Sequence, residues 1–156
     1  MRSVEDHLQA CLAGIGPIDP LDVGLLDAQG CVLAEDIAAP WPLPPFDNSA
    51  MDGYAVRVAD VADASPERPV TLRVVDDVPA GFRASVALRD GVAIRIMTGA
   101  PIPDGAEAIV PVEDTDGGMP QVVISAPAAD GAHIRRRGDD VGLGAVVATQ
   151  GTVVGP

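Results

Sequence analysis

Three places in this sequence set reactive side chains beside glycine. Asp52 precedes Gly53 in the stretch Ser49-Ala50-Met51-Asp52-Gly53-Tyr54. A carboxylate next to a residue with no Cβ lets a ligand or metal approach the backbone closely. The plainer alternative is a hairpin turn at Asp52-Gly53. Thr98-Gly99 closes the alternating run at 92–97, where a hydroxyl and backbone amides can be aimed at a ligand; the alternative is a β-turn with Thr98 as a local cap. Arg135, Arg136 and Arg137 lead into Gly138-Asp139-Asp140. An extended chain here puts Arg135 and Arg137 on one side, unless the two acids simply neutralise the cluster at the surface.

The ten basic residues, all Arg, face 23 acidic ones, and the net charge of −13 argues against binding nucleic acid or an anionic membrane. Cys11 and Cys31 have no metal-like spacing and no neighbour in sequence that would activate a thiol. Nothing before Ser3 reads as a signal peptide, and no apolar run approaches the roughly 20 residues that span a bilayer. A soluble cytoplasmic protein with reduced thiols is the expectation. His7 reads as a surface residue. Glu113, Asp114 and Asp116 lack the alternating ligand pattern of a calcium loop and read as a solvated hairpin tip, with 121–125 as its second arm.

The elements that must position these residues are short. Ser3 as N-cap with an acid three residues on, and Val4, Leu8, Cys11 and Leu12 on one face, predict a helix over 4–12. Gly14, Gly16 and Pro17 stop it. A strand is expected at 31–39. Pro42, Pro44 and Pro45 then hold the chain extended as an exposed rail, and Asp47, Asn48 and Ser49 favour a turn or cap. Strands are expected from Tyr54 and over 70–75, 92–97, 106–112, 145–148 and 152–154. In 92–97, Val92, Ile94 and Ile96 lie on one face, with Ala93, Arg95 and Met97 on the other. Segment 57–66 reads as a connector, and 82–88 as a loop or weak strand. With aromatics at 3% and AVILMFWYC at 47%, the core must be built of Val, Ile, Leu and Ala.

The string PPFDNSAMDGYAV resembles the signature of the MoeA family, the molybdopterin molybdenumtransferases, which is shared with the E domain of gephyrin. IRIMTGAPIPDGAEAIVPVE and IRRRGDD resemble the same family in the same order, and the match is to its N-terminal part only. Cys31 stands where the family commonly has Arg. The resemblance implies insertion of molybdate into adenylated molybdopterin with a divalent cation, Mg²⁺. It names Asp52, Thr98 and Asp140 as acting residues, with Asp52 and Asp140 as metal ligands. Arg135, Arg137 and Ser49 are the accompanying cofactor contacts. Anionic reactants are repelled by an acidic protein, so a cation or the cluster at 135–137 has to reverse the local charge.

The resemblance further implies a homodimer whose site is shared between this region of one subunit and a pterin-binding domain of the other, a domain missing from this chain. The isolated chain is then inactive. The rival readings are a scaffold or clustering module, a silent paralogue of the same family, and an unrelated acidic metal-binding β module. The fold expected is α+β and mostly β, in two lobes. A mixed helix and strand lobe takes 1–40 with 141–156, and a β-rich lobe takes 41–140 and carries the motifs.

Overall fold

The computed structural model describes residues 2–16 and 18–156; Pro17, one of the expected helix stops, lies outside them. In chain order the elements are helix α1 (Val4–Leu12), strands β1 (Ile37–Ala38), β2 (Asn48–Ser49) and β3 (Gly53–Val56), helix α2 (Val58–Val61), and strands β4 (Val70–Val78), β5 (Val92–Ile96), β6 (Ala108–Pro111), β7 (Gln121–Ile124), β8 (Ile134–Arg135) and β9 (Val146–Ala148). The architecture is mostly β with little helix. The chain separates into two units, Met1–Ile37 with Val146–Pro156, and Ala38–Ala145.

In the first unit, α1 starts as its sequence predicts. The Ser3 hydroxyl accepts from the Asp6 amide at 3.0 Å and the Asp6 carboxylate accepts from the Ser3 amide at 3.3 Å, so two orphan donors are satisfied reciprocally. The helix buries none of its residues. The strand expected at 31–39 shrinks to a bridge between Val32 and Val153 and the pairing of β1 with β9. The reason lies far along the chain: the Ala34 carbonyl and the Asp36 carboxylate are taken by the side-chain and backbone nitrogens of Gln150, and the chain bends there. The strand expected at 152–154 is likewise reduced to the Val153 bridge.

The second unit is built on a five-stranded sheet in the order β6-β3-β5-β4-β7, antiparallel except for the parallel pair β4 and β5. All four residues of β3 are buried, so it needs a neighbour on each side and takes an interior place. Its alternate residues feed two apolar layers. Tyr54 and Val56 join Val74, Val110, Val122 and Ile124 on one face, while Ala55 joins Ile94, Ile96 and Ile109 on the other. Each fully buried Ile contributes roughly 2 kcal/mol of transfer free energy. The alternation predicted for β5 holds: Ala93 packs in the first layer, Ile94 and Ile96 in the second.

Two expectations are met only in part in this unit. The acidic segment does turn back on 121–125, the Asp116 amide donating to the Val123 carbonyl at 3.1 Å and the Ser125 amide to the Asp114 carbonyl at 2.9 Å, but the first arm is this segment itself and not β6, which sits at the opposite edge of the sheet from β7. Residues 112–114 form a single 3-10 turn, and Asp116 accepts from the amides of Gly118 and Val123 at 3.0 and 2.9 Å. That segment runs along the outer edge of β7, where Thr115 bridges Ile124. Asp47 to Ser49 is not only a turn either, since Asn48 and Ser49 pair with Arg135 and Ile134.

Candidate functional site

Antiparallel pairing of β3 with β5 sets Gly53 opposite Ile96. The residues just before Gly53 and just after Ile96 must therefore face each other, and they are Asp52 and the Met97-Thr98 pair. The Thr98 amide donates to Asp52 Oδ1 at 2.7 Å and the Thr98 hydroxyl donates to the same oxygen at 2.8 Å. Oδ2 receives neither bond. The Asp52 backbone is fixed from the other side, its carbonyl accepting from the Val112 amide at 2.9 Å. Both side chains are exposed. The Thr98 amide, then the Thr98 hydroxyl, and more weakly the Arg95 charge hold the Asp52 carboxyl below the usual carboxylate range. Asp52-Gly53 is thus the entry to an interior strand, not a hairpin turn.

Ser49 links this pair to the third motif. Its amide donates to the Ala100 carbonyl at 3.0 Å and its carbonyl accepts from Gly99 at 2.8 Å, while β2 pairs with β8. Its side chain is fully buried and its hydroxyl donates to the Met51 carbonyl at 2.5 Å. A hydroxyl enclosed in this way shapes the loop that leads to Asp52.

The extended chain expected through Arg135, Arg136 and Arg137 stops at Arg135. Asp47 accounts for the stop, accepting from Arg136 Nη1 and from the Arg137 amide, both at 2.8 Å. The Arg136 amide donates to the Asp139 carboxylate at 2.6 Å, closing a turn. Arg135 and Arg137 thus belong to a strand end and a turn, and the regular alternation assumed for them does not exist. Neither makes an ion pair among the described residues, whereas Arg136 is neutralised by Asp47. Asp140 donates its amide to the Leu43 carbonyl at 3.0 Å and is bonded to neither Asp52 nor Thr98.

All three sequence motifs therefore converge on residues 47–52. Asp47 takes the arginine turn, Ser49 takes Gly99 and Ala100, and Asp52 takes Thr98. The MoeA N-terminal region family, domains I and II, matches residues 2–156. The chain belongs to the MoeA family. It is 51% identical over 156 residues to molybdopterin molybdenumtransferase 2 of Mycobacterium tuberculosis, covering all of this chain and 38% of that protein. It is 47% identical over 135 residues to the molybdopterin molybdenumtransferase of Synechococcus elongatus, covering 86% of this chain and 34% of that one. The crystal structure of the molybdopterin biosynthesis MoeA protein from Pyrococcus horikoshii superposes with a TM-score of 0.90 at 38% identity, over 97% of this chain and 40% of that one. The chain thus spans well under half the length of these MoeA relatives.

Two residues of this MoeA chain escape a reading of its motifs for chemistry. Asp47 looks like a turn former in sequence but organises the arginine turn. Arg95 lies inside a strand, opposite Tyr54 in the pairing register. It is held only loosely, at 3.8 Å from Asp77 and 3.9 Å from the Met119 sulfur. The signal for Arg95 was present, as a lone charge in an otherwise apolar strand two residues before Met97. For a hard cation, the described residues contain no grouping of three His, Cys, Asp or Glu. Asp52 Oδ2 offers one ligand oxygen of the about six that Mg²⁺ needs. That fits a cation shared with phosphate and water, not a cage built by this chain.

Proposed function

We propose that this chain is the N-terminal region of a transferase of molybdenum cofactor biosynthesis, which inserts molybdate into adenylated molybdopterin. Its contribution is half of a composite site, completed by the pterin-binding domain of a partner subunit in a homodimer. The observation that carries the reading is the double donation from Thr98 to one oxygen of Asp52, which leaves the other oxygen ionised, exposed and fixed in direction. Such a carboxylate can hold one position of a Mg²⁺ ion that neutralises pyrophosphate or molybdate oxygens. When bound, the cation supplies the positive charge that a chain of net charge −13 lacks.

The remaining residues have distinct parts. The Thr98 hydroxyl is already committed to Asp52, so its role is to orient that carboxylate before any contact with an oxyanion. Arg135 and Arg137, exposed and without an ion pair among the described residues, can meet an anion arriving from solvent or from a partner. Asp140 acts on a separate loop and joins Asp52 only through what binds between them. The apolar side chains left uncovered in the first unit support a longer protein and a partner: Val4 is 88% exposed and Leu26 93%.

The test is molybdenum insertion by the full-length protein. Asp52→Asn keeps the size and the bond from the Thr98 amide but removes the charge, so insertion should fall by at least about a hundredfold. Unchanged insertion would refute the proposed role of Asp52. Turnover by the 156 residues alone would refute the composite site.

A further inference from the structure

The β-rich unit carries a second feature, away from the convergence of motifs. A trough of about 490 Å³ lies between β4, the start of β5 and the loop at 79–91. Its floor is apolar, from Val75 and Val92 with Val86 opposite, and its rim holds Arg73 and Arg89. Arg73 stands directly across from Val92 in the parallel register. Neither Arg73 nor Arg89 makes an ion pair among the described residues, although acids outnumber arginines more than two to one in this chain. Asp90, at the same rim, is engaged by Arg57 at 2.6 Å.

The loop forming the outer wall has no regular secondary structure, yet it is pinned along its length. Asp76 accepts from the amide and hydroxyl of Ser85 at 2.6 and 2.9 Å. The Leu88 amide donates to the Asp104 carbonyl at 2.8 Å with its side chain buried. The Gly91 amide donates to the Asp60 carboxylate at 2.9 Å. A wall fixed at these points needs no reordering to receive a ligand, which lowers the entropic cost of binding.

We propose that this trough binds a small amphipathic oxyanion, a carboxylate or phosphate monoester on an aromatic or aliphatic body. The apolar floor takes the body, and Arg73 and Arg89 take the oxyanion by the paired donors that a guanidinium presents. The site is separate from Asp52. Val92 opens β5 and Thr98 follows its far end, so at about 3.3 Å per residue the two lie roughly 15 to 20 Å apart along the strand direction.

The probes are 2-naphthoate and phenyl phosphate, with 2-naphthalenemethanol as the uncharged control, titrated into the chain and into the full-length protein and followed by ligand-detected NMR. Saturable binding at about 1 mM or tighter by at least one of the two anions is expected. Arg73→Gln and Arg89→Gln should each weaken it about tenfold. Arg73→Lys should fall between wild type and Arg73→Gln, and Asp52→Asn should leave binding unchanged. Preference for one anion identifies the headgroup. The proposal is overturned if neither anion binds, if the alcohol binds as well as the naphthoate, or if both glutamine variants bind like wild type with unchanged amide spectra elsewhere.

Discussion

Thr98 donates twice to a single oxygen of Asp52, at 2.7 Å through its amide and 2.8 Å through its hydroxyl. Both bonds favour the ionised carboxylate, so the pKa of Asp52 in the fold lies below its unfolded value. A depressed carboxylate pKa contributes stability that is present above the unfolded value near 3.9 and is lost as pH falls through the folded one. Thr98→Val removes the hydroxyl bond and keeps the amide. The Asp52 pKa should then rise part of the way toward the usual range, as read by carboxyl ¹³C shifts across an acid titration. No movement would mean that the hydroxyl bond does not hold in solution.

Arg95 should act on two groups at once. Its charge lowers the pKa of Asp52, and it partly offsets the burial that pushes the Tyr54 hydroxyl upward. Arg95→Gln should raise both values. The Asp52 rise should be smaller than the one caused by Thr98→Val, because Arg95 ranks behind both Thr98 bonds. Alkaline absorbance titration reads the tyrosine, the chain having a single Tyr. A shift at one group without the other would refute a shared field.

Asp47 organises the arginine turn through Arg136 and the Arg137 amide. Asp47→Asn keeps an acceptor for the Arg137 amide but discharges the partner of Arg136. Because that pair is more than a third exposed on both sides, global stability should drop by no more than about 1 kcal/mol in urea denaturation. The local effect should be larger. Amide exchange at Arg137 and Gly138 should quicken several-fold while exchange in β5 stays as it was. Equal quickening in both places would show that Asp47 serves the fold as a whole.

Much of this architecture could be read wherever one short stretch carried the whole instruction. Ser3 and Asp6 announce α1 because a capping box is complete within four residues. The alternation of 92–97 announces β5 because both of its faces are buried by neighbours of its own kind. The misreadings share a different cause. Partner choice for β6 depends on β3, some fifty residues earlier, so 106–112 looked like the first arm of the acidic hairpin when its own partner lies elsewhere in the sheet. Arg135 to Arg137 looked extended because the carboxylate that bends them is Asp47, far upstream. The strand expected at 31–39 was lost to Gln150 near the other end of the chain. At the site, residue types pointed to Asp52 and Thr98, but only the β3–β5 register joins them.

Gly53 offers the sharpest test of that register. It is buried at the head of β3, between Ile96 on one side and Pro111 on the other. A Cβ built there falls on the Val110 carbonyl oxygen, a backbone atom that cannot swing aside as a side-chain end would. Its φ is not in the left-handed region, so the cost of Gly53→Ala is close approach and not backbone strain. To admit the methyl, β3 has to move away from β6, which disturbs the Val112 bond to Asp52 and with it the carboxylate that Thr98 holds. The expected loss is about 2 kcal/mol from overpacking, seen as a lower urea midpoint, together with an upward shift of the Asp52 pKa. Gly99→Ala supplies the contrast: there the Cβ meets open space but φ is +81°, so strain alone operates and the β3–β6 spacing is untouched. If Gly53→Ala costs no more than Gly99→Ala, the close packing of β3 against Val110 is not what seats Asp52.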